Sequence, residues 1–519
     1  MSISEQAVSE HPVSVDNETL GVAIIGAGFG GLGLAARLRQ RGENDFAIFE
    51  QAGDVGGVWR DNTYPGAACD VPSHLYSFSF EPNPDWQRVY SGRQDIHRYL
   101  QHCAEKYQLH SKIAFHHRVK AMRFCERSQT WCIDFEGQPS RYARAVVVAI
   151  GALNIPQYPA IPGLEDFDGK VMHTAEWDGN YSLAGKRVGV IGTGASAIQV
   201  IPSIQPEVES LSVYQRTPPW VLPKRDGAVS ESARQRFRRH PLAQRVARLG
   251  QYALMESVVP AFLWDSALTR LGEAAGRRYL KRQVRDPALR AKLTPNYGMG
   301  CKRVLLSDDY YRALSRDNVQ VVTDGITRIE GDSVVTATGE RQQLDALILA
   351  TGFKVPVAGA PMPIIGLGGR QLNDDWAEGS EAYKGLTVSG YPNLLYMMGP
   401  NTGPGNTSVV FYIESQIRYI LQYLDQLKRI PGKALDVQAT VQERFNERIQ
   451  RRMANSIWTS GCNSWYLTES GKNTTLWPSF SWHYRLITRR FSLGDYRVCA
   501  PHSQDAKVKA ASEAPTVPA

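Results

Sequence analysis

An α/β fold with two Rossmann-like dinucleotide-binding domains is what this sequence predicts, and three observations carry the prediction. A short apolar run followed by a glycine-rich turn occurs twice, at 22–25 before Gly26 and at 187–191 before Gly192. Each turn leads into a helical stretch and a second apolar run, and 24 positions after the first glycine stand Glu50 and Arg216, respectively. From Asp226 to Gly300 runs a basic, Leu/Ala-rich stretch with helical spacing, expected as a helical insertion in the second domain.

Taken in order, residues 1–20 are polar and read as a disordered leader. Residues 22–25 suit a buried parallel strand, 32–41 a helix and 46–49 a second strand. Within Gly26-Ala27-Gly28-Phe29-Gly30-Gly31, Gly26 permits the tight turn and Gly28 lets a pyrophosphate approach the backbone. Gly31 lets helix and strand pack closely, and the helix N-terminus offers N–H groups and a positive dipole end to phosphate. Glu50 is placed to accept hydrogen bonds from ribose hydroxyls and would repel a 2′-phosphate. This first site therefore expects FAD or NAD rather than NADP.

Residues 94–109 read as a helix, 114–125 and 130–135 as antiparallel strands with His116-His117 inside the first, and 146–151 as a buried strand. The proline-spaced 155–163 is a linker. In the second site, Gly192-Thr193-Gly194-Ala195-Ser196-Ala197 is the turn, with Ala197 as a permitted small third residue. Arg216 occupies the offset that Glu50 holds in the first site. An arginine there pairs with a phosphate where no carboxylate opposes it, which selects NADPH over NADH.

Further apolar runs at 344–350 and 394–397 read as strands, and 409–427 as a helix. Aromatic residues crowd 456–496, and the tail 501–519 reads as disordered. The expected division is an FAD-binding domain from 21–165 and 346–500, with an NADP-binding domain of 166–345 between its parts and the insertion at about 226–300.

Bulk composition excludes other classes. The 519 residues are 43% hydrophobic and 21% charged, ordinary for a globular protein of two or three domains. No apolar run reaches membrane-spanning length. Seven cysteines without C-x-x-C spacing indicate a reducing cytoplasm, and no His/Cys cluster invites a metal. The net charge of +8 resides in the insertion, which carries 14 Lys and Arg against 6 Asp and Glu. Without a nucleic-acid module, it reads as the solvated face of helices rather than a nucleic-acid surface.

Three further motifs give the chain its resemblance. Phe167-x-Gly169-x-x-x-His173-x-x-x-Trp177-Asp178 lies between the two nucleotide sites. Gly56-Gly57-x-Trp59 runs on to Tyr64-Pro65-Gly66 and Asp70. Gly300-x-Lys302-Arg303 follows the insertion. In this order they resemble the type I Baeyer–Villiger monooxygenases from about Gly21 to Tyr496. The resemblance implies FAD in the first site, lined by Gly57, Trp59, Asp70 and Tyr76. It implies that Lys302 assists the 2′-phosphate and that Arg303 enters the active site beside Asp70. Trp465-Tyr466 with Gly471-Lys472 would fold over nicotinamide and substrate as a lid.

The implied reaction uses NADPH and O2 to insert oxygen next to a small-molecule ketone's carbonyl, through a peroxyflavin and a tetrahedral adduct, giving an ester or lactone. Developing negative charge then calls for a fixed cation, Arg303, oriented by Asp70. His173, in an interdomain linker, reads as a hinge rather than a general base. The alternative is a flavin-containing monooxygenase acting on nitrogen or sulfur, which Trp177-Asp178 and Lys302-Arg303 disfavour. A disulfide reductase needs a cysteine pair near the flavin, and the spacing offers none. A non-catalytic basic binding protein would carry no flavin.

Overall fold

The computed structural model describes residues 19–264, 267–355, 360–459, 461–462, 464–468 and 470–501. Most of the expected leader and tail lies outside the described residues. β1 (Leu20–Ile25) opens the first sheet, and α1 (Phe29–Gln40) and β2 (Phe46–Phe49) follow it. Ala23 and Ile24 are fully buried on opposite faces of β1, as befits a parallel strand covered on both sides. After α2 (Val58–Asp61) and α3 (Arg93–Lys106) come β3 (Ile113–Ala114) and the antiparallel β4 (Val119–Cys125), β5 (Thr130–Phe135) and β6 (Arg141–Val148). β6 returns parallel to β1, which lies between it and β2.

His116-His117 is not within a strand. His116 adopts φ 58° in the turn between β3 and β4, and His117 Nδ1 hydrogen-bonds with the Phe115 carbonyl at 2.7 Å. The apolar alternation hides a reversal that only the backbone reveals.

The chain then crosses to a second, parallel sheet. β7 (Lys170–His173), β8 (Arg187–Ile191), α4 (Ala197–Ile204) and β9 (Ser210–Tyr214) build its first half. β10 (Val221–Leu222) leads into α5 (Glu231–Arg239), α6 (Pro241–Ser257), α7 (Val259–Leu263), α8 (Ala267–Gln283) and α9 (Pro287–Lys292). The excursion closes at β11 (Leu305–Leu306), which pairs in parallel with β10, Val221 opposite Leu305. This pairing brings Lys302-Arg303 back to where the chain left the sheet.

α10 (Tyr310–Leu314) and β12 (Val319–Val322) precede a small antiparallel sheet of β13 (Ile326–Glu330), β14 (Ser333–Thr336) and β15 (Arg341–Gln343). β16 (Ala346–Leu349) then inserts between β8 and β7, giving the order β12-β9-β8-β16-β7. Thereafter the chain returns to the first sheet, where β17 (Ile364–Ile365) pairs with β4 and β18 (Leu394–Tyr396) with β6. The long α12 (Val409–Lys428) packs its buried face against α1 in the main core. Each fully buried Leu or Ile there contributes roughly 1.5–3 kcal/mol.

The insertion is not simply a solvated face. Arg248 on α6 donates to the carbonyls of His74 and Ser77, in the loop between α2 and α3. Burial holds its pKa below the ordinary arginine value.

Candidate functional site

The first glycine turn is shaped by close approach. Gly26 has φ 104°, and a Cβ on Gly31 would fall 1.9 Å from the Gly26 carbonyl oxygen. Glu50, only 4% exposed, accepts from the Ala27 N–H at 2.8 Å through Oε2. Its Oε1 accepts from the Ala52 N–H at 3.0 Å and from Arg60 Nη1 at 3.1 Å. Three donors leave part of a carboxylate's acceptor capacity for ribose hydroxyls. Arg60 was not among the expected residues; its position one after Trp59 was the available signal. Gly28 and Gly57 face each other backbone to backbone, a Cβ on Gly57 lying 3.3 Å from Gly28 Cα. Trp59 Nε1 donates to the Tyr76 hydroxyl at 3.2 Å, and Phe29 meets Tyr76 edge-on at 5.2 Å. A narrow backbone cradle with an aromatic wall fits FAD.

The loop carrying Asp70 is fastened to the second sheet's helix. A Cβ on Gly66 would lie 2.5 Å from the Gln199 carbonyl oxygen on α4. The Tyr64 hydroxyl donates to Gln199 Oε1 at 2.9 Å, and Gln199 Nε2 returns a bond to the Ala68 carbonyl at 2.9 Å. Gln199 is a tie between the two nucleotide sites that no motif singles out.

In the second turn, Gly192 has φ 115°, and its Cβ would lie 2.4 Å from the Ala350 carbonyl oxygen. Around Gly194 a Cβ would meet nothing within 4 Å, leaving room for a pyrophosphate ahead of Ala197, the first residue of α4. Arg216 is exposed at the end of β9. Burial lowers the Lys302 pKa, and the nearby Arg216 charge lowers it further. Two cations held this close favour an anion between them, so the arrangement fits the 2′-phosphate of NADPH.

Arg303 reaches Asp70 across 233 positions, with Nε at 3.1 Å and Nη2 at 2.7 Å from the same Oδ2. Burial alone would raise the Asp70 carboxyl, but the Arg303 charge and hydrogen bonds, with Lys224, pull it below the ordinary value. Asp70 in turn raises the Arg303 pKa, outweighing the opposing effect of burial. Arg303 Nη1 makes no hydrogen bond among the described residues, so it remains a donor for an incoming anionic oxygen. Lys224 is a further cation that the sequence did not single out; its Nζ lies 5.2 Å from the centre of the Tyr90 ring.

Within the segment 167–178, residues 170–173 form β7 at the edge of the second sheet, so His173 belongs to that sheet and not to a free linker as expected. Gly169 admits the Asp345 carbonyl, from which a Cβ would lie 2.6 Å. Asp178 pairs with Lys170 Nζ at 2.7 Å, and Trp177 packs on the second-sheet core. His173 is buried at the end of β7, its ring 5.5 Å from Tyr158 and 6.0 Å from Phe353. Those two rings lie on the outgoing and returning crossovers, which bond to each other through Gln157 N–H to the Gly352 carbonyl at 2.8 Å and Lys354 N–H to the Ile155 carbonyl at 2.9 Å. Burial lowers the imidazole pKa below the ordinary histidine value, with Glu176 and the Gly352 backbone opposing.

In the aromatic segment, Trp465 is 43% exposed, while Tyr466 is buried and lies 4.4 Å from it, ring to ring. Burial pushes the Tyr466 hydroxyl up to about 12, and the Arg303 charge opposes that rise. Lys472 forms an ion pair with Glu381. The spacing offered no cysteine pair, yet Cys301 and Cys462 form a disulfide. With a sequence separation of 161, no local spacing could announce it. Among the described residues no group of three or more metal-ligating side chains converges, and no helix is long and apolar enough to cross a membrane.

The flavin-binding monooxygenase-like family model matches residues 20–362. A protein named Baeyer–Villiger monooxygenase from Pseudomonas aeruginosa is 47% identical over 519 residues, covering 99% of this chain and 98% of its own. A second of that name, from Streptomyces coelicolor, is 46% identical, covering 95% and 96%. A closed crystal structure of cyclohexanone monooxygenase superposes with a TM-score of 0.83 at 26% identity, over 93% of this chain and all of the other. An oxidised steroid monooxygenase bound to NADP also gives 0.83, at 29% identity, again covering 93% of this chain and 100% of its own.

Proposed function

This chain belongs to the flavin-binding monooxygenase-like family, among the Baeyer–Villiger monooxygenases, and from that membership we propose how its residues divide the work. It is a flavoprotein enzyme that uses FAD, NADPH and O2 to insert one oxygen atom next to a ketone carbonyl, giving an ester or lactone. Bound FAD supplies the redox chemistry, reduction by NADPH and activation of O2.

The protein's part is binding, orientation and charge. Gly26, Gly28, Gly31 and Gly57 admit the FAD backbone, Glu50 accepts from its ribose, and Trp59 and Tyr76 wall the ring. Gly192, Gly194 and Ala197 open the second turn to NADPH, with Arg216 and Lys302 at its 2′-phosphate. Negative charge gathers on oxygen as the carbonyl is attacked, and Arg303 supplies a preorganised positive donor there. Asp70 holds that guanidinium by Nε and Nη2 while leaving Nη1 to the reacting oxygen. This two-on-one contact is the single observation that carries the assignment. Trp465 and Tyr466 close the site against water. The NADPH requirement suits the cytoplasm, where we place the enzyme.

The test is a panel of linear, cyclic, aromatic and steroid-sized ketones, with a thioether as control, assayed for NADPH consumption and product. Ester or lactone is expected. A purified yellow enzyme that gives sulfoxide but no ester from any ketone contradicts the proposal.

A further inference from the structure

We infer that the Cys301–Cys462 disulfide is a redox modification site, a clasp opened by a dithiol and closed by hydrogen peroxide, which holds the aromatic segment against the Arg303 cation. The inference rests on the role given to Arg303 above. Cys301 immediately precedes Lys302-Arg303 and is fully buried, whereas Cys462 stands three residues before Trp465 and is half-buried. Their Cα atoms are 6.0 Å apart, a usual disulfide span. Cys301 and Tyr466 share one apolar cluster with Ile457 and Trp458, and Cys462 packs on its edge. Residue 301 is fixed by the return into β11, and the far end of the aromatic segment by the pairing of Leu476 with Gly403. The disulfide therefore joins two anchored segments close to the residues that would meet substrate. Cys103 does not compete for exchange, because burial pushes its thiol up to about 12.

The chemistry balances. A dithiol's thiolate attacks the accessible Cys462 sulfur, the S–S bond breaks with its electron pair on Cys301, and that thiolate takes a proton. The reductant's second thiol then displaces Cys462 as a thiol and departs as a disulfide, two electrons having passed to the protein. In the reverse direction Cys462 thiolate attacks hydrogen peroxide, the O–O bond breaks to give a sulfenic acid and hydroxide, and the hydroxide takes a solvent proton to become water. Cys301 thiol then displaces a second water as the S–S bond forms. Hydrogen peroxide is what a monooxygenase releases when NADPH is consumed without oxygen transfer. Wasteful turnover thus makes the oxidant that tightens the lid.

The experiment compares holoenzyme treated with hydrogen peroxide and holoenzyme treated with dithiothreitol, each freed of reagent. Of the seven cysteines, five should titrate as thiols after denaturation of the oxidised enzyme, and all seven after reduction. Reduction should make residues 455–480 more susceptible to protease and lower the ester formed per NADPH severalfold, with FAD content unchanged. Cys462→Ser should show the low yield with either treatment. Seven thiols after peroxide treatment overturn the clasp, as does a five-to-seven change that moves neither protease cutting nor yield. If thiols and protease cutting respond but no ketone yields ester in either state, the clasp stands and the functional assignment falls instead.

Discussion

Arg303 directs two N–H donors, from Nε at 3.1 Å and Nη2 at 2.7 Å, at one oxygen of Asp70. The side chains are 36% and 26% exposed, so solvent screening keeps the pair's own contribution to stability modest. Asp70→Asn should lower thermal stability by about 1 kcal/mol and cut ester yield more than flavin reduction. Because the folded-state pKa of Asp70 is depressed, its contribution is fully present above the unfolded carboxylate value of about 4 and is lost as pH falls through the lower folded value. The stability gap between wild type and Asp70→Asn should be constant from pH 5 to 7 and shrink in stronger acid. A gap that closes already near neutrality contradicts the pairing.

Arg216 and Lys302 should set coenzyme choice. Arg216→Ala should weaken NADPH binding by roughly 1.5–3 kcal/mol and hardly alter NADH. Because the two cations sit close to each other, the double variant should lose less than the sum. KM values for both coenzymes check this, and equal losses for NADH and NADPH reject it.

Glu50 should be needed to keep FAD. Glu50→Ala removes the acceptor of the Ala27 N–H and one of the partners of Arg60, so the enzyme should purify with less flavin and be partly restored by added FAD. Glu50→Gln, which keeps an acceptor, should fall between. Full flavin occupancy in the alanine variant would remove Glu50 from the site.

His173 should act as a joint. Its ring contacts Tyr158 and Phe353 on the two crossovers, so His173→Ala should slow flavin reduction while FAD stays bound. Since burial lowers the imidazole pKa, any inflection that His173 contributes to wild-type reduction should lie below the ordinary histidine value of about 6.5. Normal reduction with ketone attack abolished would place His173 in the chemical step.

What was legible in the sequence was local. The two glycine turns, and the opposite charges at Glu50 and Arg216, follow from strand, turn and helix periodicity over a few dozen residues. Asp70 and Arg303 were legible only as members of motifs, because 233 positions separate them and their meeting depends on the β10–β11 pairing and the Gln199 tie. Gln199 and Lys224 left no pattern, since a helix glutamine or a loop lysine is ordinary until a neighbour is known. The Cys301–Cys462 bridge defeated composition for the same reason. Tyr466 is buried in the same apolar cluster as Cys301, two positions before Arg303, a neighbourhood that no local spacing announces.

The central claim is that Arg303 is needed for oxygen transfer and not for making the reduced flavin. The decisive measurement is stopped-flow flavin reduction by NADPH in Arg303→Ala alongside ester formed per NADPH consumed. The variant should bind FAD and be reduced, yet form ester about 10²–10³ more slowly, with the reducing equivalents appearing as hydrogen peroxide. Ester at the wild-type rate and yield would show that Arg303 is merely a charge paired to Asp70.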